Sequence, residues 1–123
     1  MSQKKILIVD DSSTVLLLEK MILSRGPYDV VSARDGQEGL EKAEAERPDL
    51  ILMDVIMPRM DGFEACRRLR EREATRDIPV IMVSTRGELE SVENGYESGC
   101  SDYVMKPIDG FELLSKIRSY LGA

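Results

Sequence analysis

The sequence contains no histidine and no tryptophan, and only two of its 123 residues are cysteine. Without histidine, the chain has no imidazole to bind a metal, to act as a general base or to carry a phosphoryl group. Cys66 and Cys100 match no spacing typical of a metal site or a disulfide framework, so we predict that both are small core residues. Any chemistry must therefore use carboxylates, hydroxyl groups and lysine.

Long apolar runs are also missing. No segment approaches the roughly 20 apolar residues that a membrane-spanning helix needs, and residues 1–5 carry no apolar targeting segment. These absences predict a cytoplasmic protein that does not contact a membrane. A net charge of -6 argues against direct binding of nucleic acid, because phosphate backbones are bound through an excess of lysine and arginine. A basic cluster is interleaved with Glu71, Glu73 and Asp77, which predicts a solvated helix face; its arginines are Arg67, Arg68, Arg70, Arg72 and Arg76.

The length of 123 residues suits one domain over residues 1–123, and the order of its segments indicates the architecture. Short apolar runs alternate with longer stretches of helical spacing, which is typical of a parallel sheet covered by helices. The first, third and fourth runs are continuous rather than alternating, as expected of strands that are buried on both faces. They are residues 6–9, 30–31, 50–53, 80–83 and 103–105.

Five helices are predicted between and after these strands. Leu16, Leu17 and Leu18 give the first helix more apolar surface than one core-facing stripe requires, which indicates either a partner groove or deep packing, and we favour packing. Gly95 lowers the intrinsic stability of the fourth helix by about 1 kcal/mol relative to alanine. The predicted helices run from Ser12 or Ser13 to about Ser24, from Asp35-Gly36 to before Pro48, from about Phe63 to Glu71, from about Glu88 to Ser98, and through Leu113 to Leu121.

Polar residues follow the predicted strands at the points where the strands end. Asp10 and Asp11 follow the first strand and Asp54 the third, while Ser84 ends the fourth and Lys106 follows the fifth. Ligands of open parallel sheets bind in the crevice beyond these carboxyl ends. If the first and third strands are neighbours, the three carboxylates converge on one place.

Three converging carboxylates would repel one another unless a cation lies between them. With oxygen ligands alone the cation should be hard: Mg2+ first, with Mn2+ or Ca2+ as alternatives. A lysine and a hydroxyl group nearby suit the oxygens of a phosphoryl group. Each residue alone is more often a cap or a turn residue, but the combination at successive strand ends predicts phosphoryl transfer to a carboxylate.

These residues lie in segments that resemble the response regulator receiver family of two-component systems, and the likeness covers residues 4 to 121. The resemblance implies an α/β, doubly wound, flavodoxin-like fold with five helices and five parallel strands in the order 2-1-3-4-5. The segments that carry it are Ile6-Leu7-Ile8-Val9-Asp10-Asp11, Asp54-Val55-Ile56-Met57-Pro58-Arg59-Met60-Asp61-Gly62, Val83-Ser84 and Asp102-Tyr103-Val104-Met105-Lys106-Pro107.

The resemblance also implies a role for each site residue. Asp54 matches the phosphoacceptor of the family and Asp10 and Asp11 match its metal pair, so that Mg2+ would be held by these three residues and the backbone carbonyl of Ile56. Lys106 matches the lysine that contacts the phosphoryl group.

Two further residues match the switch of the family. Ser84 corresponds to the hydroxyl group that moves to meet the phosphoryl group, and Tyr103 to the aromatic ring that turns inward with it. The surface formed by the fourth helix, the fifth strand and the fifth helix would then change, with Tyr96, Tyr103 and Phe111 expected on it.

The implied function is a phosphorylation-activated switch rather than an enzyme. Asp54 would accept its phosphoryl group from a phosphohistidine of a histidine kinase or of a histidine phosphotransfer protein. The partner on the output side would be a downstream effector protein or an attached output domain. Ile56 and Arg86 flank the site at positions that tune phosphoryl lifetime in the family, and the apolar Ile56 predicts slow self-dephosphorylation.

Three other classes of protein are alternatives. A phosphatase of the haloacid dehalogenase type requires a second aspartate two residues after the first, where this chain has Ser12. A flavin-binding electron carrier requires a phosphate loop that Asp10 and Asp11 would repel. A receiver used only for docking would lack the acceptor, the acid pair or the lysine, all of which are present.

Overall fold

Strands and helices alternate along residues 3–122, the part of the chain that the computed structural model describes. All of the predicted elements are present, and the second strand extends beyond Val30 and Val31 at both ends. In chain order the elements are β1 Lys4–Val9, α1 Ser13–Leu23, β2 Tyr28–Ala33, α2 Gly36–Glu46, β3 Leu50–Asp54, α3 Gly62–Glu71, β4 Val80–Ser84, α4 Leu89–Glu97, β5 Asp102–Met105 and α5 Gly110–Leu121.

The strands form one parallel sheet in the order β2-β1-β3-β4-β5. β1 pairs with β2 on one side and with β3 on the other, so the direction in which strands are added reverses at β1. This is the predicted doubly wound order. The helices that follow β1 and β3 lie on opposite faces of the sheet, and a crevice therefore opens beyond the carboxyl ends of these two strands.

Two apolar cores cover the two faces of the sheet, because successive side chains of a strand point to opposite sides. In β1, Leu7 and Val9 pack with α2 and α3, whereas Ile6 and Ile8 pack with α1 and α5. This burial on both faces explains why the strand is a continuous apolar run. Both cysteines are free and buried in the core under α2 and α3, as predicted.

The helices differ in how their first turns are held. α4 is preceded by Glu88, whose side chain makes no capping hydrogen bond, and it contains the buried Gly95. A cap contributes about 1 kcal/mol and a helical glycine costs about as much, so α4 has the weakest local stabilisation of the five helices. The other four begin at a side chain that accepts a backbone hydrogen bond from the first turn, namely Ser12, Asp35, Asp61 and Asp109.

The expectation of deep packing along α1 is wrong for two of the three leucines. Leu16 is buried, but Leu17 is 59% exposed and Leu18 is 41% exposed, and Met21 lies beside them at 61%. The inward face of α1 is already occupied by Leu16, Glu19, Ile22 and Leu23. Because successive helical residues are about 100° apart, Leu17 and Leu18 cannot share that face.

The prediction of a solvated arginine face is also wrong at one position. Arg67 and Arg68 pair with Glu64 at the surface, as expected. Arg70, in contrast, is partly buried and donates hydrogen bonds to three backbone carbonyls, those of Gly99 at 2.8 Å, Arg76 at 3.0 Å and Ile78 at 2.7 Å. Its guanidinium group therefore ties α3 to the segments before β4 and β5. Within residues 3–122, no helix is long and apolar enough to cross a membrane.

Candidate functional site

Three carboxylates meet at the carboxyl ends of β1 and β3. Val9 lies opposite Met53 in the parallel register, so the next residues along, Asp10 and Asp54, are neighbours across the two strands. Asp10 is 1% exposed and Asp54 is 5% exposed, whereas Asp11 is open to solvent. One carboxylate oxygen from each of the three residues lies within 4.8 Å of the others. The structure thus brings together the three acids that the strand-end pattern predicts.

Lys106 bridges the two buried carboxylates from the end of β5. Its ammonium nitrogen lies 3.0 Å from Oδ2 of Asp10 and 3.2 Å from Oδ1 of Asp54. Burial alone would lower the pKa of Lys106, but the hydrogen bond to Asp10 and the two negative charges outweigh it and raise the pKa. The lysine is therefore a fixed positive charge at the site. Its own backbone N–H donates to the carbonyl of Ser84 at 2.8 Å, and its peptide bond to Pro107 is cis.

Asp54 titrates abnormally in this setting. Burial, followed by the negative charge of Asp10, raises the pKa of Asp54 to about 6, although Lys106 acts in the opposite direction. A carboxyl group with a raised pKa beside a lysine and two further acids is typical of a functional site. A cation bound among these carboxylates would favour the ionised form and lower the pKa again.

Glu19 is a further acid at this site that the sequence analysis missed. It lies on the inward face of α1, is 2% exposed, and its Oε1 has no hydrogen-bond partner among the described residues. Burial, followed by the charge of Asp10, raises the pKa of Glu19 to about 8, so it is mostly protonated at neutral pH. The pattern that could have revealed Glu19 is an acidic residue at a core-facing helical position, between Leu16 and Ile22.

The carboxylates fit a hard divalent cation. All of the candidate ligands are oxygens, and Mg2+ is typically held by one or two carboxylates together with waters and substrate oxygens. The Oδ1 of Asp10 accepts the N–H of Ser12 at 2.9 Å, and this hydrogen bond holds the carboxylate in place. Within residues 3–122, no protein group donates to the backbone carbonyl of Ile56, which follows β3 by two residues.

Ser84 and Tyr103 are linked through the backbone of Arg86. The buried Oγ of Ser84 accepts the N–H of Arg86 at 3.0 Å, and the hydroxyl group of Tyr103 donates to the carbonyl of the same residue. The ring of Tyr103 is half-buried and lies against Gly95 of α4, since a Cβ placed on Gly95 would be 3.1 Å from it. A displacement of Ser84 would thus act on a loop that Tyr103 also holds.

Gly62 has a role in the site that was not foreseen from the sequence. Its N–H donates to the carbonyl of Val55 at 2.8 Å, which folds the loop after β3 back over the end of that strand. A Cβ at Gly62 would lie 2.1 Å from the carbonyl oxygen of Asp54, a distance that no real side chain allows. Glycine is required here because the loop backbone approaches Asp54 so closely.

Two of the three aromatic residues expected on the surface of α4, β5 and α5 lie there. Burial and, after it, the negative charge of the nearby Asp102 raise the pKa of Tyr96. Tyr103 belongs to β5. Phe111 is 83% exposed but lies elsewhere. On α5 the positions that face β5 are Lys116 and Tyr120, both bonded to Asp102, and Phe111 projects away from them.

The fold and the site define a class of protein: a doubly wound domain with a buried aspartate, an acid pair and a lysine at the topological switch point. Comparison with known families agrees. Residues 6–118 match the response regulator receiver domain. The chain belongs to this family, whose members are phosphoacceptor regulators of two-component systems rather than conventional enzymes.

Similar proteins include regulators of transcription. The chain is 40% identical over 118 residues to the alkaline phosphatase synthesis transcriptional regulatory protein PhoP of Bacillus subtilis, an alignment that covers 96% of this chain and 48% of PhoP. It is 41% identical over 115 residues to the response regulator PleD of Caulobacter vibrioides, covering 94% of this chain and 25% of PleD. The chain thus spans half or less of the length of these relatives.

Solved receiver structures share the fold. A CheY-like receiver domain protein from Methanospirillum hungatei superposes with a TM-score of 0.90 at 36% identity, over 98% of this chain and 95% of that one. The receiver domain of the sensor histidine kinase PA1611 from Pseudomonas aeruginosa has a TM-score of 0.90 at 30% identity, over 98% and 99% of the two chains. That structure has a magnesium ion coordinated in its active-site cleft.

Proposed function

We propose that this protein is a Mg2+-dependent signalling switch that accepts a phosphoryl group on Asp54. The donor is a phosphohistidine of a histidine kinase or of a histidine phosphotransfer protein. The observation that supports this most strongly is the position of Lys106, 3.2 Å from Asp54 and 3.0 Å from Asp10, beside three converging carboxylates. We place the protein in the cytoplasm, without direct contact with nucleic acid.

Asp54 is the nucleophile in the proposed reaction. Asp10, Asp11, Asp54 and the carbonyl of Ile56 would hold Mg2+, which neutralises charge on the phosphoryl oxygens when it is bound. An oxygen of the Asp54 carboxylate forms a bond to phosphorus while the phosphorus–nitrogen bond of the phosphohistidine breaks. The imidazole leaves with the electron pair of that bond and takes up a proton. The product is an acyl phosphate.

Lys106 has two successive partners in this scheme. Before transfer, its ammonium group offsets the charge of Asp54, and after transfer it pairs with a phosphoryl oxygen. No substrate is turned over in a cycle, because the phosphoryl group stays on the protein until water removes it. We therefore propose a regulator that assists only its own phosphorylation and dephosphorylation.

The signal would leave the site through Ser84. We infer that the Ser84 hydroxyl moves to donate a hydrogen bond to the new phosphoryl group, and that the loop carrying Arg86 moves with it, because the Oγ of Ser84 accepts the N–H of Arg86. Tyr103 is bonded to the same residue and packs on α4, so its ring would follow. The changed surface of α4, β5 and α5 would then regulate a downstream effector protein or an attached output domain.

Intact-mass measurement after incubation with acetyl phosphate or phosphoramidate and Mg2+ tests the proposal. We expect the mass of one phosphoryl group to be added, and hydroxylamine to remove it, since acyl phosphates are labile to that nucleophile. Asp54→Asn should abolish the addition. Asp29→Asn is a suitable control, because Asp29 is exposed near the start of β2, at the opposite edge of the sheet from the site. A phosphoryl group that persists on Asp54→Asn would refute the assignment.

A further inference from the structure

A groove of about 350 Å3 lies between α1 and β2, the strand at one edge of the sheet. Four groove residues belong to α1 and share one side of that helix, because they fall at positions i, i+3, i+4 and i+7. Ser32 of β2 points toward α1, since side chains alternate along a strand and the next residue, Ala33, packs with α2 and α3. This α1–β2 groove is lined by Ser13, Leu16, Leu17, Lys20, Ser32 and Arg34.

The α1–β2 groove carries positive charge that no acid offsets. Lys20 and Arg34 are both exposed, and in the part of the chain that the structure describes neither of them forms an ion pair. Glu38 reaches the backbone of Arg34, but its carboxylate is already used by the N–H of Arg34 at 2.7 Å and by Lys42 at 3.4 Å. No acidic side chain is among the lining residues. In a chain with a net charge of -6, the groove is therefore a local positive site.

Two other cavities differ from this groove in their charge. A cavity of about 310 Å3 beside α2 is lined by Arg59, but Asp35 lines it as well and pairs with Arg59 at 3.5 Å. The cavity of about 190 Å3 beside the loop after β3 is lined by Arg86 together with Asp61. An anion in either cavity would face a carboxylate, so the α1–β2 groove is the one of the three that suits an anion.

We propose that the α1–β2 groove binds a small organic phosphate monoester. The charges of Lys20 and Arg34 match a phosphate dianion, and a guanidinium group can donate to two phosphate oxygens at once. The hydroxyl groups of Ser13 and Ser32 can donate to the remaining oxygens. Leu17, which is 59% exposed, offers apolar surface for the organic part of the ligand. A monocarboxylate fits less well, because it carries one negative charge between two cations.

The groove is distinct from the candidate site, although both lie at the carboxyl ends of the strands. The N–H of Asp10 donates to the carbonyl of Ala33 at 3.1 Å, so the end of β2 lies beside that site. None of the lining residues is a candidate cation ligand. The groove is thus independent of the proposed function. Because a cation at the site would itself attract phosphate, binding in the groove is measured without Mg2+.

The test is a titration with phenyl phosphate at about pH 8, where the phosphate is a dianion, followed by the NMR shifts of the backbone amides. We expect saturable binding with a Kd below about 1 mM and the largest shifts at residues 13–20 and 32–34. Inorganic phosphate lacks the apolar part and should bind about threefold more weakly, and benzoate about tenfold more weakly. Equal and unsaturated shifts with all three compounds would overturn the proposal, because they would indicate an adventitious ion only.

A pair of charge variants tests the two cations. Lys20→Gln with Arg34→Gln should weaken the binding of phenyl phosphate about tenfold or more. The matched control is Lys4→Gln with Arg118→Gln, at exposed positions of β1 and α5 outside the groove, which removes the same charge and should alter the affinity by less than about twofold. Thermal melts establish that each variant is folded. Equal losses in the two double variants would refute the proposal, because the ligand would then respond only to overall charge.

Two leucines of α1 test the apolar part of the groove. Leu17→Ser should remove most of the preference for phenyl phosphate over inorganic phosphate, whereas Leu18→Ser, at an exposed leucine that does not line the groove, should retain it. Asp54→Asn should bind phenyl phosphate as the parent does, because Asp54 lies outside the groove. Loss of binding in Asp54→Asn, or shifts centred on Lys106, would place the ligand in the candidate site and refute the assignment to the groove.

Discussion

The ammonium nitrogen of Lys106 lies 3.2 Å from Oδ1 of Asp54, although the two residues end strands that are not neighbours in the sheet. The side chain of Lys106 passes the end of β4 and also meets Asp10 at 3.0 Å. One lysine thus offsets two buried carboxylates. Its removal would leave both without their positive partner, which is costly because both carboxylates are buried.

Lys106→Met should therefore slow phosphorylation of Asp54 by about a hundredfold, because the developing charge on the phosphoryl oxygens loses its partner. Initial rates with phosphoramidate and Mg2+ measure this effect. Lys116→Met is the matched control, since Lys116 pairs with Asp102 at the opposite end of β5 and should leave the rate within about twofold. An equal effect of the two substitutions would contradict the role of Lys106.

The pH dependence of phosphorylation should reflect the raised pKa of Asp54. In the proposed reaction the nucleophile is the carboxylate of Asp54, whose pKa is about 6 in the metal-free protein. The rate at limiting Mg2+ should therefore rise as the pH increases through about 6 and then level off. Saturating Mg2+ favours the ionised form and should move the midpoint to lower pH. Stopped-flow measurement with acetyl phosphate gives both profiles. A rate that falls between about pH 5 and 7 would exclude this scheme.

Glu19 should make the protein less stable as the pH rises. Its pKa is about 8 in the folded state and 4.5 ordinarily, so between these values the folded protein holds a proton that the unfolded chain has lost. The free energy of unfolding therefore decreases from about pH 4.5 to about pH 8, and the loss is complete above pH 8.

Glu19→Gln removes this penalty. We expect the variant to exceed the parent in free energy of unfolding by about 2 kcal/mol near pH 8, with the difference shrinking toward pH 5. Urea denaturation without Mg2+ at several pH values measures it. Glu41→Gln, at an exposed position of α2, should follow the parent at every pH. Parallel pH profiles of Glu19→Gln and the parent would show that Glu19 is not protonated in the folded state.

Gly62→Ala should disturb the site through the backbone. The new methyl group would lie 2.1 Å from the carbonyl oxygen of Asp54, so the loop after β3 must move. We expect a loss of about 2 kcal/mol or more in stability, together with slower phosphorylation. Gly110→Ala, where the nearest atom is a flexible Ile22 side chain at 3.3 Å, is the control and should be tolerated. Normal stability of Gly62→Ala would rule out this packing.

Ile56→Asn should shorten the lifetime of the phosphorylated protein. Ile56 is 50% exposed and, together with Arg86, lines a cavity of about 190 Å3 beside the loop that follows β3. An apolar side chain there cannot position an attacking water, whereas asparagine can donate and accept hydrogen bonds. We expect loss of the phosphoryl group to accelerate about tenfold, measured by phosphate release, with Ile56→Val unchanged. Equal lifetimes for Ile56→Asn and the parent would remove this explanation.

Several parts of the site were predictable because strand ends in a parallel sheet meet at one edge. Asp10, Asp54 and Lys106 each follow a continuous apolar run, and that pattern alone placed them at the crevice once β1 and β3 were neighbours. Glu19 was not predicted, because helical spacing indicates which face a residue occupies but not which charges lie opposite that face. Arg70 was misassigned for the same reason.

The sequence by itself determined the alternation of strands and helices, the helix caps and the set of chemical groups available, since these depend on residue type and local spacing. Only the tertiary structure decided which groups meet. Lys106 contacts Asp10 at 3.0 Å and Asp54 at 3.2 Å, although these residues lie 96 and 52 positions away along the chain. Glu19 is buried with no hydrogen-bond partner for its Oε1 among the described residues, and Gly62 closely approaches the carbonyl of Asp54. Such contacts follow from the packing of α1, β1, β3 and β5 around one crevice, which no local pattern specifies.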